Sequence, residues 1–151
     1  MTKVNNMNDL KGIGGWLILV AIGVVGAPLY ALSVLSEILS LISGEDFQFL
    51  SLSIKAFVWF EMLFWGMMLL ISAYVVFLFF KKKRDFPNWY IAIFLLFIAF
   101  SVSDMMVVNL LLPEEPLEDM IVAGFRTVIQ AAIWIPYLLK SKRVRLTFVE
   151  D

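Results

Sequence analysis

The stretch AFVWFEMLFWGMMLLISAYVVFLFF, residues 56–80, is followed at once by KKKR at 81–84. At 1.5 Å per residue it makes a helix of roughly 37 Å, whereas the hydrocarbon core of a bilayer is about 30 Å thick. Its one charge is Glu61. A segment of that length and composition reads as a transmembrane helix stopped by a basic cluster.

Outward from it the pattern repeats. Upstream, Ile13 to Ile42 is an apolar run interrupted by Gly23, Gly26, Pro28 and one charge, Glu37. Downstream, a third run follows Pro87-Asn88, contains Asp104 and stops at Pro113-Glu114-Glu115-Pro116. A fourth contains Arg126 and Gln130 and ends at Lys140-Ser141-Lys142-Arg143. The expected spans are 14–42, 56–80, 89–112 and 120–139, within a single integral membrane domain covering 1–151. The fold class is all-α, a four-helix transmembrane bundle. The first run exceeds the bilayer thickness, and Pro28 beside Gly26 makes a bend near its middle the expected remedy.

Composition agrees and narrows the chemistry. Of 151 residues 62% are hydrophobic and 17% charged, against roughly 45–50% and about 25% in an ordinary soluble domain. Mean hydropathy is +0.90. The chain has no Cys and no His, which removes disulfides, thiol nucleophiles, His or Cys metal ligands and every imidazole base. No enzyme activity and no cofactor are expected. Gly12-x-Gly14-Gly15 lacks the preceding strand of a nucleotide loop. Met67-Met68 and Met105-Met106 are packing residues rather than metal ligands. An early cleavage site is not expected either, because the first apolar run continues to Ile42, beyond the reach of a signal-peptide core.

Ten of the twelve basic residues, namely Lys3, Lys11, Lys81 to Arg84, Lys140, Lys142, Arg143 and Arg145, fall in three segments that an even number of spans places on one side. The positive-inside rule makes that side cytoplasmic, with both termini there. The opposite connections carry Glu45, Asp46, Glu114, Glu115, Glu118 and Asp119, with Lys55 the lone basic residue.

Charges inside the spans are costly, about 2.5–3.5 kcal/mol or more each when facing lipid. Glu37, Glu61, Asp104 and Arg126, with Gln130 beside the last, are therefore expected to face one another. Counting from the loop ends puts Glu61, Asp104 and Arg126 in one layer of the outer half. Ser33, Glu37 and Ser40, and likewise Arg126, Gln130 and Tyr137, follow helical spacing toward an inward polar seam. Arg126 would then pair with Asp104 or Glu61 as a structural salt bridge. The charge count opens a sharper reading. Three acids against one Arg leave two carboxylates without a cation, and such groups serve proton or cation handling.

A second cluster is expected at the inner ends of spans one and four, where Gly14, Gly15 and Trp16 meet Trp134, Pro136, Tyr137 and Arg143 as a cytoplasmic cap. The tail after Ser141 is expected to dock beneath the bundle.

The start Gly12-Ile13-Gly14-Gly15-Trp16-Leu17, the end Ile133-Trp134-Ile135-Pro136-Tyr137 with Ser141-Lys142-Arg143-Val144 and Thr147-Phe148, the Arg126 region and the Phe86-Pro87 turn together resemble an uncharacterised family. Its members are small bacterial inner-membrane proteins with a domain of unknown function and four predicted spans. The resemblance covers the whole chain and implies a multi-pass protein of the bacterial cytoplasmic membrane, with no activity to carry over. Two functions stay open. One is a non-enzymatic accessory, sensor or envelope component acting through lipid or protein contacts. The other is a small proton- or cation-coupled transporter. The partners expected are membrane lipids and either another membrane protein or further copies of this chain, with no nucleic acid.

Overall fold

The computed structural model describes residues 12–114 and 116–149. Among them the chain forms four long helices and two short ones: α1 Trp16–Ser43, a 3-10 helix Glu45–Phe49, α2 Leu52–Phe80, α3 Phe86–Leu111, α4 Glu118–Lys140 and α5 Lys142–Thr147. The four long helices are each apolar and long enough to cross a membrane. The chain is an all-α multi-pass membrane protein.

The helix ends depart from the apolar runs for local reasons. α2 starts at Leu52 rather than 56, because Ser51 caps it: its Oγ accepts the Ile54 N–H at 3.3 Å and so satisfies one of the unpaired first-turn amides. Lys55 thereby falls inside the helix, and its Nζ turns back to donate to the Gln48 carbonyl at 2.7 Å. α3 starts at Phe86 rather than 89, because Pro87 sits in its first turn, where a missing N–H costs no bond. α1 starts at Trp16 rather than 14, because Gly15 holds φ +57, outside helical space. α4 starts two residues early, with Glu118 and Asp119 in its first turn, where they complement the positive end of the helix dipole. α1 runs through Pro28 as one helix of 28 residues.

α1 packs along α2, α2 on α3, and α3 along α4. The chain thus forms a row of neighbours, each antiparallel to the next. What closes the row is one end of the bundle, where the starts of α1 and α3 meet the ends of α2 and α4. Leu17, Phe79 and Phe86 are wholly buried there. Phe148, just past α5, stacks on Phe86 at 4.5 Å and lies 5.5 Å from Phe79. Val144 and Thr147 of α5 are buried beneath the bundle, so the tail docks as expected, as a helical turn. α5 owes that turn to Ser141, whose Oγ accepts the Val144 N–H. We call this the capped end, and the opposite one, with Glu45, Asp46, Glu114, Glu118 and Asp119, the acidic end.

The turn from α2 into α3 is tight. The Lys83 N–H donates to the Leu78 carbonyl at 2.9 Å and the Lys82 N–H to the Phe79 carbonyl at 3.1 Å. This is the Schellman pattern of a helix C-terminus, which places a left-handed residue, usually Gly, at its pivot. Here the pivot is Lys82, φ 53.

Candidate functional site: carboxylates above an aromatic layer

Glu61 on α2 and Asp104 on α3 are both half-buried and sit on helices that pack together. Asp104 Oδ1 is buried without a hydrogen-bond partner. Two aligned turns set their level. Phe64 and Trp65 follow Glu61 by about one turn toward the capped end, and Phe100 precedes Asp104 by one turn toward the same end. Phe64 and Phe100 stack at 3.6 Å with 6° between their planes. Trp65 meets Phe100 at 6.1 Å and Phe97 at 5.5 Å. This aromatic pairing ties α2 to α3 and puts the two acids at a similar level, each about one turn beyond it.

α1 completes the surroundings. Trp16, Gly23, Tyr30 and Glu37 recur every seven residues, which is one stripe of a helix. Trp16 meets Trp134 of α4 edge-on at 6.4 Å. A Cβ at Gly23 would lie 2.8 Å from the Tyr90 hydroxyl of α3, and the Tyr30 ring meets Trp65 of α2 at 5.5 Å. The stripe therefore turns toward the other three helices. Trp16 is 64% exposed and Tyr30 57%, so the stripe lies at the border of the helix's buried face, Leu17, Val20, Val24, Ala31 and Ile38. Glu37 continues the stripe two turns beyond Tyr30, above the same aromatic layer, and is exposed. Glu61 and Asp104 therefore lie one turn beyond a layer of Tyr30, Phe64, Trp65, Phe97 and Phe100, on its acidic-end side, whereas Glu37 is exposed and is not brought to them.

Arg126 does not join these acids. It is exposed, as is Gln130, and among the described residues no ion pair forms between Arg126 and Glu61 or Asp104. A cavity of about 220 Å³ between α3 and α4 is lined by Ile98, Ser101 and Met105 on one side and Met120, Gly124 and Val128 on the other, and Arg126 lies in that stretch of α4 with its side chain exposed. Of the serines, Ser33 and Ser40 are exposed and Ser72 is buried; the Ser33 and Ser72 hydroxyls donate to the carbonyls of Tyr30 and Leu69 in their own helices, the usual outlet for a hydroxyl inside a helix.

The residues of the expected cap do come together, apart from Pro136, which is exposed within α4. A Cβ at Gly14 would lie 2.8 Å from Arg143 Nη1, and one at Gly15 4.0 Å from Nε. Trp134 meets both Trp16 and Tyr137. The Gly12 N–H donates to Thr147 Oγ1 at 3.1 Å, and that hydroxyl donates back to the Gly12 carbonyl. Lys3, Lys11 and Glu115, used for orientation, lie outside the described residues.

Sequence reasoning missed the aromatic layer as a unit. Its signal was present: Trp65 four residues after Glu61 and Phe100 four before Asp104, each on the acid's own helix face.

The chain belongs to the family described as a protein of unknown function, DUF2569, whose model matches residues 10–149. No curated protein and no solved structure matches it.

Proposed function

We propose that this chain is a non-enzymatic protein of the bacterial cytoplasmic membrane, both termini inside, that takes up a proton or a small cation at Glu61 and Asp104 and acts as a small cation-coupled carrier. The observation that supports this is two half-buried carboxylates one turn beyond the same aromatic layer, Asp104 Oδ1 buried without a hydrogen-bond partner, and no ion pair to either acid among the described residues. Carboxylates without a partner cation inside a membrane protein are relieved by binding a proton or a cation. Approach from the acidic end fits the position of both acids on that side of the aromatic layer. In a deletion strain, the double variant Glu61→Gln, Asp104→Asn accumulates normally and fails to complement. Full complementation by that variant sinks the reading.

The exposed Arg126 and Gln130 favour a second reading, an accessory protein acting through contacts within the membrane. A guanidinium on a lipid-facing helix costs about 2.5–3.5 kcal/mol or more, which a partner carrying an acceptor would offset. Affinity purification in mild detergent, with Arg126→Leu as comparison, tests it. A protein captured by the native chain and lost in the variant supports the contact; equal capture by both removes it.

A further inference from the structure

Lys82 occupies the left-handed pivot of the α2–α3 turn, φ 53, a conformation that suits glycine and strains an L side chain. A backbone outlier that the surrounding structure holds in place points to a role for the side chain. Lys82 is exposed, as is Lys81 beside it.

The same end of the molecule gathers more positive charge. Lys140 ends α4, and Lys142 and Arg145 project from α5, all three exposed. α5 is held in place by its buried Val144 and Thr147, and the tail is tied to the turn where Arg84 Nε donates to the Val149 carbonyl at 3.2 Å. Among the described residues of this end the only acid is Asp85. The charges begin where the apolar helices stop, at the level where lipid headgroups lie.

We propose that this rim, formed by Lys81, Lys82, Lys140, Lys142 and Arg145, is a docking surface for anionic phospholipid headgroups. The complementarity is simple. Ammonium groups on one plane face phosphodiester anions, and rigid anchoring of α5 and the turn keeps the two halves of the rim at fixed separation. Lysine at the pivot places one more cation in that plane than glycine would. The proposal is independent of Glu61 and Asp104, which lie toward the other end.

The test uses the full chain, purified in a neutral detergent and titrated separately with phosphatidylglycerol and phosphatidylcholine. Native mass spectrometry counts the bound lipids, and thermal unfolding reports the folded fraction. The expected result is a clear preference for phosphatidylglycerol, weakened roughly five-fold for each rim charge removed by Lys81→Gln, Lys82→Gln or Arg145→Gln. Lys82→Gly separates charge from structure: it weakens phosphatidylglycerol retention to the same degree while the lipid-free melting temperature holds or rises. Equal retention of the two lipids overturns the proposal. So does a preference that survives the substitutions, or a Lys82→Gly protein that melts earlier.

Discussion

At Glu61 and Asp104 the side chain can be changed with its shape preserved. Glu61→Gln and Asp104→Asn each remove one of two half-buried charges, so the melting temperature of the detergent-solubilised protein holds or rises in each variant. A marked fall in both would show that the carboxylates are paired rather than opposed. Gly23 is the contrasting case. A Cβ there already lies 2.8 Å from the buried Tyr90 hydroxyl, so Gly23→Leu wedges α1 away from α3 and destabilises by about 1–3 kcal/mol, read as earlier thermal unfolding. Both acids were legible in the sequence, because a lone charge in an apolar run has to find an inward or wet environment. Arg126 was legible as an anomaly but not in its place. Its direction depends on which face α4 turns to α3, and that is set by packing among residues such as Met105 and Met120 rather than by loop positions.

At the scale of elements, the four spans followed from hydropathy and flanking charge, and their ends did not. Ser51 and Pro87 start helices inside what composition alone reads as loops, since a cap or a proline acts on one backbone amide and leaves no trace in an apolar average. The α2–α3 turn shows the same limit. Four consecutive basic residues read as a stop signal, and only the backbone shows Lys82 at the Schellman pivot. Lys82→Gly is expected to stabilise the isolated turn by about 1 kcal/mol, measurable as a higher melting temperature in detergent without added lipid. α5 was expected as a docked tail. Its helical form comes from the Ser141 cap together with Val144, Thr147 and Phe148 finding the aromatic cluster of Phe79 and Phe86.

For the whole molecule, the helices close on one another at the capped end, and Glu61 and Asp104 lie beyond the aromatic layer toward the acidic end. A bundle tied by Trp16 to Trp134, by Gly12 to Thr147 and by Phe148 between Phe79 and Phe86 has a fixed base, so motion that exposes or occludes the acids has to occur above the aromatic layer. The absence of His and Cys leaves carboxylates as the groups able to carry a proton within the spans. The most direct measurement is proton movement into proteoliposomes holding the full chain, a pH gradient across the bilayer and an entrapped pH-sensitive dye. The native protein dissipates the gradient faster than empty vesicles, and Glu61→Gln and Asp104→Asn each return the rate to that of empty vesicles. Amide variants that move protons as fast as the native chain, or a native chain no faster than empty vesicles across proton and alkali-cation gradients alike, contradict the account.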